Sequence, residues 1–116
     1  ACDTDAAITP VIDMVRQLFN VYTVWFVTGR CEIARDKTRA WLRKHVTNGA
    51  EPLLSMRPAT DDRNDGPAKI DLLKKIGLSK IAFALEDKIE VALVFRSHGV
   101  LTLMVREYEN ALLHQQ

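Results

Sequence analysis

Short apolar runs alternate with longer amphipathic stretches along this chain, and this alternation restricts its fold more than any other feature. The run at residues 21–27 is continuous, β-branched and aromatic, which is typical of a strand buried on both faces of a parallel sheet. Shorter runs at residues 52–56, 81–85 and 100–105 predict three further strands.

The stretches between these runs have helical spacing. Residues 10–19, 33–46, 68–76 and 88–98 carry their apolar side chains on one face, which predicts four helices. Thr9 and Pro10 suit the start of the first helix, Gly77 and Gly99 suit the ends of the last two, and residues 57–67 predict a loop. The order α-β-α-β-α-β-α-β favours a single α/β domain over residues 1–116, with a parallel sheet between helices.

Composition sets the broad class. A chain of 116 residues that is 47% apolar has enough material for one core. Sixteen Lys and Arg against fifteen Asp and Glu leave almost no net charge, so any anion site must be local. Cys2 and Cys31 form no metal-binding cluster, and no apolar run is long enough to cross a bilayer. We expect a cytoplasmic protein without a membrane partner.

Ligands of such sheets bind beyond the carboxyl ends of the strands, so the residues there are the candidates for chemistry. Thr28, Gly29 and Arg30 follow the first apolar run. Arg57 follows the second run, and the pair Glu86-Asp87 follows the third. A hydroxyl, backbone N–H groups, cations and carboxylates are what a site needs to hold a phosphoryl group beside a hard cation.

Three of these segments resemble motifs of the haloacid dehalogenase (HAD) superfamily of phosphohydrolases. The run ending in Thr28 resembles the second motif of the family, Lys69 after a polar loop resembles the third, and the run ending in Glu86-Asp87 resembles the fourth. Over roughly residues 5–105 the chain is most similar to the phosphatase domain of phage and bacterial polynucleotide kinases and its stand-alone phage relatives. The residues that carry this closer similarity are Thr28-Gly29-Arg30, Thr38, Trp41-Leu42, Met56-Arg57-Pro58, Asp61, Asp62, Arg63, Asp65, Lys69, Glu86-Asp87, Val91, Arg96 and Gly99.

The resemblance implies a three-layer α/β/α Rossmann-like fold without a large cap domain. It also implies that Thr28 binds the transferring phosphoryl oxygens with help from the backbone at Gly29, and that Lys69 neutralises developing negative charge. Asp87, with Glu86, would bind Mg²⁺. Arg30 and Arg57 would face the phosphate of the substrate.

The first motif of the family, an apolar strand ending Asp-x-Asp, has no convincing match. Asp3 and Asp5 have the right spacing, but only Ala1 and Cys2 precede them. We therefore expect the nucleophile-bearing strand upstream of residue 1, with a degenerate motif at Asp3 and Asp5 as the alternative. The resemblance implies that this strand is central in the sheet, between the strands at residues 21–27 and 81–85. Without it, these two strands must pair directly or flank a strand from elsewhere, which a second copy, a swapped segment or a cleaved N-terminal piece would supply in a homo-oligomer or strand-swapped assembly.

The function implied is Mg²⁺-dependent hydrolysis of a phosphomonoester through an aspartyl-phosphate, on a nucleotide or a nucleic-acid 3′ end. The alternative is a non-catalytic module that binds a phosphate or a nucleic-acid end and has lost the nucleophile. A receiver-like signalling domain would need a phospho-accepting Asp after a later strand, and none follows residues 21–27.

Plainer interpretations stand beside each candidate. The segment Thr28–Arg30 could be an ordinary turn, Lys69 a solvated lysine, and Glu86-Asp87 an acidic helix start. The acids Asp61, Asp62 and Asp65 suit a solvated loop. Trp25 and Trp41 are expected in the core.

Overall fold

The computed structural model describes residues 9–105. Four α-helices alternate with four strands: α1 (Thr9–Leu18), β1 (Trp25–Cys31), α2 (Arg35–His45), β2 (Leu53–Arg57), α3 (Asp65–Ile76), β3 (Ala84–Glu86), α4 (Ile89–Ser97) and β4 (Thr102–Met104). Two short 3-10 helices, Glu32–Ala34 and Leu78–Lys80, precede α2 and β3. The predicted α/β class and element order are confirmed.

The strands form two parallel pairs, β1 with β2 and β3 with β4. Trp25 aligns with Leu53 in the first pair, and Ala84 aligns with Thr102 in the second. The pairing is parallel, as predicted. Within residues 9–105, however, β1 and β3 do not pair with each other, so direct closure of the gap between them is not what this fold does.

Helices α3 and α4 connect the two pairs. Helix α3 packs against β1, β2 and α4, while α4 packs against β3 and β4. Ile70 and Leu73 of α3, Val91 and Phe95 of α4, and Val100 form the central buried cluster. Val27 of β1 and Ala84 of β3 both pack against that cluster. The two pairs of strands therefore flank a common core although their inner edges do not meet.

The boundaries of β1 differ from the sequence prediction at both ends. The backbone N–H groups of Val21 and Tyr22 donate to the carbonyl of Leu18, so these residues complete the end of α1 and the strand begins only at Trp25. At the other end the strand continues past Thr28 to Cys31, with an irregularity in register between those two residues. The prediction that the strand stops before Thr28-Gly29-Arg30 is wrong.

Helix α3 begins at Asp65, three residues before the predicted start at residue 68. Gly66 and Pro67 suggested a loop, but proline is tolerated in a first helical turn because its missing N–H would have no partner there. The N–H of Ala68 donates to the carbonyl of Asn64, which closes that turn. Asp65 therefore belongs to the helix that carries Lys69.

The two strands of the second pair are shorter than predicted. Residues 78–80 form a 3-10 helix, and the N–H of Ile81 donates to the carbonyl of Leu78. The strand predicted at residues 81–85 therefore begins only at Ala84 and ends at Glu86, and the strand predicted at residues 100–105 is limited to Thr102–Met104. In the described part of the chain no helix is long and apolar enough to cross a membrane. The proposed motif at Asp3 and Asp5 lies outside the described residues.

Candidate active site

The candidate active site is formed where β1, β2 and β3 end. Thr28, Gly29 and Arg30 lie in the last residues of β1, Arg57 ends β2, and Glu86 ends β3. The first turns of α3 add Asp65 and Lys69, four residues apart and hence on one face of the helix. The topology thus places the sequence-predicted candidates at the polar ends of the strands.

Lys69 and Glu86 form a buried ion pair at this end of the fold. The Nζ atom of Lys69 lies 3.1 Å and 3.4 Å from the two carboxylate oxygens of Glu86. Only 8% of Lys69 and 6% of Glu86 is exposed. Lys69 is therefore not the solvated lysine of the plainer interpretation, because its charge is held in place by a carboxylate from another element.

Glu86 also organises the start of α4. Its Oε1 atom accepts hydrogen bonds from the backbone N–H groups of Asp87, at 3.0 Å, and Lys88, at 3.2 Å. The pKa of the Glu86 carboxyl lies above its ordinary value, mainly because the group is buried, and the ammonium of Lys69 offsets only part of this effect. The carboxylate therefore connects the end of β3 to α3 and to the residues just before α4 through hydrogen bonds.

The two predicted Mg²⁺ ligands differ in how well they suit a cation. Both oxygens of Glu86 already face the ammonium of Lys69, whereas Asp87 is exposed at the start of α4. Among residues 9–105 no group of three or more His, Cys, Asp or Glu side chains could enclose a metal. Asp87 is thus the better candidate ligand from this chain, and both assignments stay predictions.

Arg57 is directed into the protein. Its Nη1 atom donates to the carbonyls of Asp61 and Arg63, and its Nη2 atom lies 2.6 Å from Oδ1 of Asp65. Only about 10% of the side chain is exposed. Its Nε atom is buried without a hydrogen-bond partner in the described part of the chain. Arg57 secures the loop before α3, and its predicted contact with a substrate phosphate stays a prediction.

Sequence reasoning assigned Asp65 to a solvated loop and not to the site. One carboxylate oxygen pairs with Arg57 at the end of β2, and the other pairs with Nζ of Lys88 after β3. The hydrogen bond from Lys88 is the main reason that the pKa of Asp65 is lowered. The available sequence signal was its spacing of four residues from Lys69, which the predicted helix boundary concealed.

Gly29 lies directly against this carboxylate. A Cβ atom placed on Gly29 would come within 2.5 Å of Oδ1 of Asp65, far inside van der Waals contact. Beside it, the hydroxyl of Thr28 accepts a hydrogen bond from the N–H of Arg30 at 3.1 Å. Thr28-Gly29-Arg30 is therefore part of a strand irregularity packed on α3, and not only a surface turn.

The chain matches, over residues 1–109, the model of the polynucleotide kinase PNKP phosphatase domain. It belongs to that family. The HAD-type resemblance of its motifs is thereby confirmed. The search of curated proteins found no significant match to this chain.

Two solved structures share the fold of this chain. A chain in the structure of the Pnkp1/Rnl/Hen1 RNA repair complex is 27% identical, with a TM-score of 0.78 over 89% of the present chain. A chain in another Pnkp1/Rnl/Hen1 complex is 26% identical, with a TM-score of 0.80 over 92% of it. The present chain spans only 34% and 38% of those chains.

The other acids of the loop before α3 behave differently from Asp65. Asp61 pairs with Arg63, which holds the pKa of that carboxyl at about 2, and Arg63 also pairs with Asp71. Asp62 is exposed. The prediction of a solvated acidic loop thus suits Asp62, whereas Asp65 belongs to the site.

Proposed function

We propose that this domain hydrolyses phosphomonoesters at nucleic-acid ends, by a Mg²⁺-dependent reaction through an aspartyl-phosphate. The observation that carries the proposal is the buried Lys69–Glu86 pair at the strand ends of a chain that belongs to the PNKP phosphatase domain family. A fixed cation in a partly dry site stabilises charge that develops on a phosphoryl group, and it needs little reorganisation during the reaction.

The ammonium of Lys69 retains capacity to bind substrate. It carries three N–H donors, and the two oxygens of Glu86 lie on one side of it. A phosphoryl oxygen would accept a further N–H, while Glu86 holds the ammonium of Lys69 in place. The hydroxyl of Thr28 and the backbone N–H groups beside it would bind the other oxygens.

The nucleophile requires a carboxylate between Thr28 and Lys69, and the arrangement of the strands supports its position. The inner edges of β1 and β3 do not pair among the described residues, yet Val27 and Ala84 from these strands pack on one core. The rings of Tyr22 and Phe83, before the two strands, lie 5.3 Å apart. A parallel strand inserted between β1 and β3 would satisfy both edges and would place a residue at its carboxyl end beside Lys69.

In the proposed reaction this carboxylate attacks phosphorus and the P–O ester bond breaks. The leaving ester oxygen takes a proton from a neighbouring acid and departs as a hydroxyl. Water, which gives a proton back to that group, then attacks the aspartyl-phosphate, and this step releases inorganic phosphate and restores the carboxylate. Mg²⁺, held in part by Asp87, would neutralise charge on the phosphoryl oxygens. Lys69 compensates negative charge in both steps.

The choice of a nucleic-acid end as substrate rests on family membership. Near the strand ends Arg57 and Lys88 both pair with Asp65, and Lys69 pairs with Glu86, so carboxylates of this chain balance most of the local positive charge. Solved relatives belong to an RNA repair complex. We propose a nucleic-acid 3′-phosphate end as the substrate. The alternative substrate is a free nucleotide.

The test is hydrolysis of a 3′-phosphorylated oligonucleotide by the full-length protein. Lys69→Ala should lower kcat by at least ~100-fold, since one preorganised charge at a developing anion contributes about 3 kcal/mol. Lys75→Ala, on the exposed side of the same helix, is the matched control and should leave kcat unchanged. Asp87→Asn should move half-activation to higher Mg²⁺ concentration.

Activity of Lys69→Ala within about threefold of wild type would remove Lys69 from the mechanism, and an unchanged Mg²⁺ titration would remove Asp87. Binding of the oligonucleotide without hydrolysis by the wild type would support the alternative of a non-catalytic module.

A further inference from the structure

Asp65 connects groups that come from four separate elements. It is the first residue of α3, it contacts Gly29 in β1, and it pairs with Arg57 of β2 and with Lys88 before α4. Its side chain is 25% exposed, so these contacts are partly shielded from water. Charge-assisted pairs of this kind are stronger and more directional than neutral hydrogen bonds.

The same helix carries Lys69 one turn later. A movement of α3 that displaces the backbone of Asp65 therefore also displaces Lys69. Lys88 closes the connection from the other side, because its side chain pairs with Asp65 while its backbone N–H donates to Glu86, the partner of Lys69. Two polar contacts thus fix α3 against the strand ends, one through Asp65 and one through Glu86.

Gly29 provides the space that this arrangement needs. A Cβ atom there would lie 2.5 Å from Oδ1, 2.9 Å from Cγ and 3.2 Å from Oδ2 of Asp65. Its φ is not among the positive values seen at Gly49, Gly77 and Gly99. The requirement for glycine at position 29 is therefore steric, and the carboxylate of Asp65 imposes it.

We propose that Asp65 is a positioning residue for the phosphatase reaction: seated against Gly29 and paired with Arg57 and Lys88, it sets the placement of Lys69 relative to Thr28. The inference rests on the proposed function. Asp65 itself need not contact the substrate. The absence of a side chain at Gly29 leaves the space that the carboxylate of Asp65 occupies.

The first test measures the pairing of Lys88 directly, without reference to catalysis. In the full-length protein, Lys88 is labelled with a limiting amine-reactive ester at pH 8 and quantified by mass spectrometry, with exposed Lys80 as the internal reference. The amine of Lys88 donates a hydrogen bond to the carboxylate of Asp65, and this contact protects the nitrogen from acylation. Asp65→Ala and Gly29→Ala should each increase labelling of Lys88 severalfold relative to Lys80.

The decisive variant is the double substitution. If Gly29→Ala acts by displacing Asp65, then adding it to Asp65→Ala should change Lys88 labelling no further, since the new methyl group enters the vacated space. If the increases in Lys88 labelling caused by the two single substitutions multiply in the double variant, the two residues act independently and the inference is overturned. Unchanged labelling in Gly29→Ala would also overturn it.

The second test asks whether the placement matters for the reaction. Asp65→Asn and Gly29→Ala should each lower kcat by at least ~10-fold, because a displacement of about 1 Å at a catalytic group can cost ~100-fold, while KM changes less than kcat. Asp62→Ala, in the same loop and exposed, is the matched control and should keep wild-type kcat. A full kcat in Asp65→Asn would overturn the positioning role.

The two hypotheses fail differently. A wild-type protein without phosphatase activity would overturn the proposed function. In that case the labelling of Lys88 would still test whether the carboxylate of Asp65 packs against Gly29 and pairs with Lys88.

Discussion

The two pairs of strands differ in how completely they are packed. Around β3 and β4, Val91 and Ala92 have no exposed surface, and Phe95 and Thr102 are 3% and 2% exposed. In contrast, neither α1 nor β1 contributes a fully buried residue. Phe19, Tyr22 and Trp25 each remain more than 40% exposed. The prediction that Trp25 belongs to the core is therefore wrong for the described residues.

This contrast indicates that the two parts of the domain contribute differently to stability and to the candidate site. The tightly packed part supplies stability and holds Lys69 and Glu86, while the more exposed part supplies Thr28 and Gly29 on β1, a longer strand with an irregular end. Large exposed apolar side chains next to an unpaired strand edge are typical of a surface that another segment covers. The comparison can be tested by substitutions of matched size in the two parts.

The largest effect is expected for Phe95→Ala. Removing this ring from the central cluster should destabilise the protein by about 4 kcal/mol, as for other buried aromatic side chains. Phe19→Ala, which removes the same ring from a site that is 42% exposed, should cost less than about 1.5 kcal/mol. Urea unfolding of both variants measures the difference. Equal losses would show that the part around β1 is as tightly packed as the part around β3.

A smaller effect is expected for Glu86→Gln. The substitution leaves the ammonium of Lys69 buried without its carboxylate, which should cost about 3 kcal/mol. Adding Lys69→Met removes the unpaired charge and should recover most of this loss, although it abolishes activity. Glu51→Gln, at the exposed pair with Arg39, should change the unfolding free energy little. A Glu86→Gln variant as stable as wild type would show that Lys69 finds water or another partner.

The smallest effect is expected from the pH dependence of Asp65→Asn. Because the pKa of Asp65 is lowered in the folded protein, its carboxylate stabilises the fold above the unfolded pKa of about 4. That stabilisation is lost as the pH falls through the folded value. The wild type should therefore melt at a higher temperature than Asp65→Asn at pH 7, and the gap should narrow below pH 4. A gap that stays constant down to pH 3 would contradict an ionised, paired Asp65.

Much of the candidate site could be predicted before the structure. The type and order of the elements followed from apolar periodicity, and the end of each strand pointed to Thr28, Lys69 and Glu86. Asp65 was missed because Gly66 and Pro67 imitate a loop. Local sequence does not show that Pro67 sits in a first helical turn, since that depends on the packing of α3.

The pairing of charges was equally beyond the sequence. Glu86 and Asp87 are adjacent acids, and the sequence did not show that the fold buries Glu86 against Lys69 and leaves Asp87 exposed. Nor did it show that Arg57 pairs with Asp65 and with carbonyls of its own loop. Such choices depend on residues 8 to 17 positions away in the chain.

By itself the sequence determined the α/β class, the parallel direction of the strands and the chemical types at the strand ends, because periodicity and short-range propensity act within a few residues. Only the tertiary structure decided which charges are buried together, that a side chain at position 29 would meet the carboxylate of Asp65, and that β1 and β3 do not pair within residues 9–105. Those properties arise from contacts between elements distant in sequence, and their free energy depends on the burial and geometry that the folded chain creates.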